Sequence, residues 1–287
     1  MSVHGDIWDA ASWPSGWTVR HVAETGSTNA DLLADLDAGL VGDRSVLVTD
    51  HQTAGRGRLD RRWDAPPATN LLVSIALAPV PAVPAEATHR VGLAALSAVR
   101  EVRPDAPVAL KWPNDLLLDQ RKLAGILAQR SSTRDAVVVG LGLTVSWAPA
   151  GAARLGTAVR PADVLARLLA PFDELPTSIG PRYRTELSTI GERVRVELPT
   201  GPAVEGTAID LDDSGRLFVR SDDGEVAAFE VGDVVHVRTG ENRVCPRRRS
   251  SAAFRRPVGA WSVEEMSTPS RHRRSSAPLA LLFAALV

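Results

Sequence analysis

Lysine is almost missing from this chain of 287 residues: of its 33 basic side chains only Lys111 and Lys122 are lysine, and the other 31 are arginine. Cysteine is as scarce. A single residue, Cys245, excludes an internal disulfide and a cysteine-based zinc cluster. The 6 histidines are scattered and offer no His-Glu-x-x-His spacing, so no protein-held metal ligands are expected. No apolar run reaches the roughly 18 to 20 residues of a membrane helix, and the N-terminus carries no basic-then-apolar leader. The cytoplasm is therefore the expected compartment, with no membrane partner. Charge of one sign is not in excess, at 33 basic against 34 acidic residues, and 44% of the chain is apolar. That balance excludes a nucleic-acid-coating protein and a wholly disordered chain.

Such a strong arginine bias is typical of a GC-rich genome, where arginine replaces lysine wherever a solvated charge suffices. The two remaining lysines lie eleven residues apart in one segment. They point to chemistry that a planar guanidinium cannot supply.

The length allows about two domains of roughly 100 to 200 residues each. Residues 1–189 mix helix and strand signals. Ser27-Thr28-Asn29, followed by leucines 32, 33, 36 and 40, predicts hydroxyl capping and a helix that stops at Gly42. Runs 45–50, 70–77, 108–112 and 137–147 read as strands, and 86–101 and 162–170 as helices. The class is α/β or α+β with a mixed sheet. Residues 190–240 hold only short strands, at 193–198, 204–210, 217–221, 226–229 and 234–238. Turn signals such as Asp213-Ser214-Gly215 and Asp222-Asp223-Gly224 punctuate them, which predicts a small barrel. In residues 241–287, nine arginines face three glutamates among Ser, Pro and Ala, a composition that predicts a disordered basic tail.

A Walker loop, a complete Rossmann glycine triplet and a Gly-x-Ser-x-Gly elbow are all absent. Two other clusters carry chemistry. In Gln52-Thr53-Ala54-Gly55-Arg56-Gly57-Arg58, ahead of Trp63, glycines let backbone amides approach an anion and arginines supply forked donors to phosphate. An ordinary exposed loop has the same composition. In Lys111-Trp112-Pro113-Asn114-Asp115 and Arg121-Lys122-Leu123-Ala124-Gly125, apolar runs flank each lysine, so the ammoniums project from a sheet into a cleft. Each residue also has a plain reading: Ser27-Thr28-Asn29 as a helix cap, Trp63 as core, Asp115 as a turn former, Gly140 as close packing.

Gly26 to Asn29, Gln52 to Arg58 with Trp63, Lys111 to Asp115, Arg121 to Leu127 and Val139 to Gly142 occur in this order. Together they resemble the biotin protein ligase family over about residues 17–238. The resemblance implies a class II aminoacyl-tRNA synthetase-like catalytic domain and a C-terminal SH3-like barrel. It also implies a two-step reaction, in which biotin and ATP, with Mg²⁺, give biotinyl-5′-AMP. The biotinyl group then passes to a lysine of the biotin carboxyl carrier domain of an acyl-CoA carboxylase. By position, Ser27, Thr28, Asn29 and Gln52 would recognise biotin. Gly55, Arg56, Gly57, Arg58 and Trp63 would form a loop over biotin and the adenylate. Lys122 would meet the biotin carboxylate and α-phosphate, with Lys111, Asp115, Gly125 and Gly140 lining the same cleft. Asp115 is the candidate group for orienting the acceptor amine or taking its proton.

Two departures from the family stand out. Thr144 replaces the asparagine of a Gly-x-Gly-x-Asn stretch, and Leu59-Asp60 alters the loop. Only about 16 residues precede the catalytic start, so no operator-binding domain is expected; a monomer or weak homodimer is. The alternatives are a lipoate- or octanoate-handling relative and a nonenzymatic binding module that uses the barrel and basic tail.

Overall fold

A computed structural model describes residues 8, 12–59, 61–230 and 232–236. The expected basic tail, and the end of the strand expected at 234–238, lie outside these residues. Seven strands form a mixed sheet in the order β1-β2-β3-β7-β6-β5-β4. They are β1 (Thr18–Thr25), β2 (Ser45–Gln52), β3 (Leu71–Leu77), β4 (Val108–Lys111), β5 (Asp115–Leu118), β6 (Arg121–Arg130) and β7 (Val137–Leu143). Only β1 and β2 run parallel; every other neighbouring pair is antiparallel.

One face of this sheet carries the main core. Leu71, Val73, Ile75 and Leu77 of β3 and Val137, Val139, Leu141 and Leu143 of β7 pack there with β6 residues. Helices α2 (Ala85–Val102) and α3 (Pro161–Asp173) cover it with stripes such as Val91, Leu96 and Val99 or Leu165, Leu168 and Phe172. These stripes recur at helical spacing, which is why both helices read clearly from the sequence. On the opposite face, α1 (Thr28–Asp37) packs Leu32 and Leu36 onto Leu47, Ala76 and Val138. It covers only one end of that face, and the rest forms the floor of a cleft.

Helix α1 starts where the hydroxyl cluster predicted, but Ser27 makes no side-chain capping bond. The Thr28 amide is instead accepted by Gln52 Oε1 at 2.9 Å. The helix also ends at Asp37, ahead of the expected stop at Gly42. A short helix α4 (Gly180–Glu186) leads to the second sheet.

That sheet is antiparallel, in the order β11-β10-β9-β8-β12: β8 (Arg193–Glu197), β9 (Val204–Leu211), β10 (Leu217–Arg220), β11 (Val226–Phe229) and β12 (Asp233–His236). No pairing between β11 and β12 closes it among the described residues. Its inner residues Val194, Val196, Leu211, Leu217, Val219 and Phe229 are buried. Gly215 (φ +86°) and Gly224 (φ +89°) take the left-handed conformations that tight hairpins require. The turn at Gly215 docks on the first sheet's assembly, where its carbonyl accepts the Trp112 indole N–H at 3.0 Å.

Candidate active site

The cleft over the sheet floor encloses about 540 Å³. Ser27, Thr28, Asn29, Gln52, Arg56, Gly57, Arg58, Trp63, Lys111, Asp115, Lys122, Gly125 and Gly140 all line it. Of the expected site residues Gly55 alone does not; it is buried, and a Cβ there would overlap the Trp63 carbonyl. The glycine serves a close backbone approach at the base of the loop.

Strand register explains the grouping. Directly paired residues share a sheet face. Lys111 pairs with Asp115, Asp115 with Gly125, and Gly125 with Gly142, so one row across four strands carries two charges and then two glycines. Simple alternation along β6 would turn Lys122 away from Gly125. The register between β5 and β6 slips between Leu116 and Leu117, so that Leu116 pairs with Ala124 and Leu117 with Lys122. Leu123 and Ala124 both enter the core, and Lys122 returns to the cleft face with Gly125 and Leu127. This β-bulge aims the ammonium. Its Nζ lies 2.7 Å from Asp115 Oδ1.

The bulge is itself pinned. Thr144, only 3% exposed, places its hydroxyl 2.7 Å from the Leu123 carbonyl and 2.5 Å from that of Ala153. The Thr144 amide donates to Leu123 O and the Ala153 amide to Lys122 O. Thr144 therefore lies against β6 and joins it to the 149–155 loop.

Glycines shape the floor. A Cβ at Gly142 would overlap the Trp63 ring, and one at Gly140 would overlap the Asn29 carboxamide. Trp63 is half-buried on Gly125 and Gly142, with Lys122 Nζ 6.0 Å from its ring centre. It is thus a wall of the cleft rather than a core residue. At the other end, Thr28 Oγ1 lies 3.0 Å from Gln52 Oε1 and 2.7 Å from Ser74 Oγ, which is 2.6 Å from Asn29 Oδ1. The Asn29 amide donates to Leu127 O at 3.0 Å.

The arginine-glycine loop folds back on itself through an Arg56–Arg62 bridge and a bond from Gly57 N to Arg61 O at 2.6 Å. It closes against the second sheet. Arg61 forms an ion pair with Asp233, and Arg58 Nη1 lies 3.4 Å from both Gly232 O and Asn114 Oδ1. Burial, opposed by Asp115, depresses the Arg58 pKa from its usual value. Burial lowers Lys111 as well; Asp115 opposes that shift, and Lys122 and Arg61 reinforce it. Cations thus crowd around Asp115 and Asp233 at this end, while neutral hydroxyls and amides line the other.

The sequence reading missed Ser74, Gly232, Asp233 and the structural role of Thr144. For Ser74 a signal existed: it is the one hydroxyl in the apolar run 71–77. Among the described residues no group of three His, Cys, Asp or Glu side chains is placed to hold a metal ion.

A sequence profile described as the biotin/lipoate A/B protein ligase family matches residues 23–146, and one for a biotin protein ligase C terminal domain matches 189–237. The biotin–[acetyl-CoA-carboxylase] ligase of Mycobacterium tuberculosis is 41% identical over 246 residues, 78% of this chain and 91% of that protein. The Paracoccus denitrificans protein of the same name is 33% identical over 241 residues, 73% of this chain and 98% of its own. A biotin protein ligase from Aquifex aeolicus, solved in complex with biotin and ATP, superposes with a TM-score of 0.63 at 26% identity. That match covers 77% of this chain and 99% of the Aquifex chain. The mixed sheet with its helices agrees with the synthetase-like fold that the motif resemblance implied.

Proposed function

The chain belongs to the biotin/lipoate A/B protein ligase family, and from that premise we propose how its cleft carries out ATP-dependent biotin ligation. The carrying observation is the single cleft that joins Lys122, Lys111 and the arginine loop at one end to the neutral Thr28–Asn29–Gln52 cluster at the other. A neutral cyclic urea needs hydroxyl and amide partners, whereas a carboxylate meeting a triphosphate needs cations.

In the first step a biotin carboxylate oxygen attacks the α-phosphorus of ATP. The bond from that phosphorus to the oxygen bridging to the β-phosphate breaks, and pyrophosphate leaves. Lys122, Arg56 and Arg58 offset the approach of two anions. A charge pair about 4 Å apart at an effective dielectric near 20 is worth roughly 4 kcal/mol, against about 0 to 1 for an exposed pair. Mg²⁺, when bound, screens the phosphates. With no protein cluster of three ligands in the described residues, phosphate oxygens and water would hold most of its coordination shell, and Asp115 is already paired to Lys122.

In the second step the amine of a carrier lysine attacks the acyl carbon, and AMP leaves with the anhydride oxygen. Asp115 is our candidate for orienting that amine or taking its proton. The Arg56–Arg62 ribbon with Trp63 shields the anhydride from water. We take 1–189 as the catalytic region and 190–240 as the C-terminal module, which meets the loop through Gly232 and Asp233. The acceptor we propose is the biotin carboxyl carrier domain of an acyl-CoA carboxylase, and the compartment is the cytoplasm, where ATP and such a carboxylase coexist.

The test is formation of acyl-adenylate from α-labelled ATP, magnesium and either biotin or lipoate. Labelled adenylate with biotin and none with lipoate is the expected result. Adenylate with lipoate alone would transfer the protein to the lipoate branch of its family, and none with either acid would remove the ligase reading.

A further inference from the structure

Ser74 belongs to no motif and does not line the cleft, yet it is fully buried directly beneath two residues that do. It sits in the middle of β3, paired with Gly140 of β7, and the absence of a side chain at Gly140 lets the Asn29 carboxamide settle above both. Four oxygens form a chain: Asn29 Oδ1, Ser74 Oγ, Thr28 Oγ1 and Gln52 Oε1. The successive separations are 2.6, 2.7 and 3.0 Å.

Both ends of this chain are fixed as acceptors. The Asn29 amide nitrogen is committed to Leu127 O, which turns Oδ1 toward Ser74. Gln52 Oε1 accepts the Thr28 backbone N–H at 2.9 Å, which turns the amide oxygen toward Thr28. Flipping either carboxamide would set two donors or two acceptors against each other. Three gaps therefore share two hydroxyl protons. Separations of 2.6 and 2.7 Å are ordinary for a protonated O–H···O contact, whereas two bare oxygens tolerate 3.0 Å far better than 2.6. The proton-free gap is the one between Thr28 and Gln52. Thr28 donates to Ser74, and Ser74 donates to Asn29.

We infer that Ser74 is a positioning residue that fixes this proton order and so presents the Thr28 hydroxyl to the cleft as a hydrogen-bond acceptor. With Oε1 occupied, Gln52 is left with its NH₂ as a donor. The pair then reads a ligand carrying an N–H beside a C=O, the edge of a cyclic urea, and disfavours a ring without an N–H. This deepens the biotin reading and rests on it.

The experiment compares biotin with its two lactam analogues, in each of which one ureido N–H is replaced by CH₂, using adenylate formation in the wild-type protein and in Ser74→Ala. In the wild type one lactam should show a KM raised about 10- to 100-fold over biotin, as for a site that hydrogen-bonds an N–H its ligand then lacks. In Ser74→Ala the Thr28 proton can turn toward Gln52 or the cleft. The biotin KM should rise, kcat at saturating biotin should stay within about twofold, and the preference over that lactam should fall to about threefold or less. Ser74→Cys, similar in size with a weak donor, should restore part of the preference. Should Ser74→Ala fail to fold, Thr28→Val carries the same ratio test. An undiminished preference in the variant, or a fall in kcat at unchanged KM, would overturn the inference. Failure of the biotin reading itself would show separately, as absence of biotinyl adenylate in the wild-type protein before any variant is compared.

Discussion

The ammonium of Lys122 reaches the Asp115 carboxylate at 2.7 Å only because its strand carries one extra residue, Leu123, at the bulge opposite Leu116 and Leu117. Without that bulge, alternation would bury Lys122 in the core and raise Leu123 into the cleft. The pairing also makes Asp115 a holder of the lysine before it can be a base. Lys122→Arg keeps the charge, but its planar fork cannot occupy the same point beside Asp115. Adenylate formation should fall by about a hundredfold or more in that variant, measured with α-labelled ATP; wild-type turnover would count against the site. Asp115→Asn separates the two roles. If Asp115 serves the acceptor amine, transfer from preformed adenylate to a carrier domain should slow more than adenylate formation does.

Thr144 carries a second consequence of the same bulge. Its hydroxyl serves the buried Ala153 carbonyl while its amide serves Leu123. Thr144→Val keeps the shape and leaves that carbonyl without a partner, a loss of about 1–3 kcal/mol in unfolding free energy. Because Ala153 N also binds Lys122 O, adenylation should slow along with the loss of stability. Thr144→Ser should recover both. A denaturant titration and an adenylation assay on the two variants check this, and a Thr144→Val protein as stable as the parent would exclude the role.

Much of this site could be read from the sequence because its charged and hydroxyl residues lie in short linear clusters that fold as units. Lys111 and Asp115 flank one turn, and Ser27 to Asn29 open one helix. The missed residues act through pairings that no linear pattern displays. Ser74 matters because β3 lies beside Gly140, and Asp233 because a strand far along the chain returns to the loop. Strand β1, TVRHVAET, holds no fully buried position and has too little apolar periodicity to announce itself. Strand β5 is only four residues long and begins at Asp115 itself, directly after the turn, so the sequence does not set it apart from that turn. Residue type alone makes Ser27 a cap, whereas in the fold Gln52 serves the helix amide instead.

Burial of His89 should make stability fall on the acid side, with a smaller contribution of the same sign from half-buried His236. His89 stacks on Tyr183 with ring centres 3.7 Å apart, and burial pushes its pKa down to about 3. The unfolded chain titrates near 6.5. As pH falls below that value the unfolded state takes up a proton that the folded state refuses, so stability present above about pH 6.5 is lost progressively toward pH 3. The slope from this one group approaches about 1.4 kcal/mol per pH unit. Denaturant titrations between pH 6.5 and 4.5, above the range where most carboxylates titrate, should show it. His89→Phe keeps a ring against Tyr183 and should flatten the slope; an unchanged slope would place the acid sensitivity elsewhere.

The arginine loop is held on the second sheet by the Arg61–Asp233 ion pair and the reach of Arg58 to the Gly232 carbonyl. A loop that shields a mixed anhydride must stay closed after pyrophosphate has left. Asp233→Asn removes the charge at nearly constant shape and leaves the cleft cations in place. Adenylate should therefore form at close to the parent rate but hydrolyse faster, by about 3- to 10-fold, when no carrier is present. Arg61 is well exposed, so salt should weaken the pair, and raising ionic strength should shorten adenylate lifetime in the parent protein but hardly at all in Asp233→Asn. Equal lifetimes in the two proteins at low salt would show that the C-terminal sheet does not hold the loop. A shortened lifetime with the same salt response in both would place the salt-sensitive contact elsewhere on the loop.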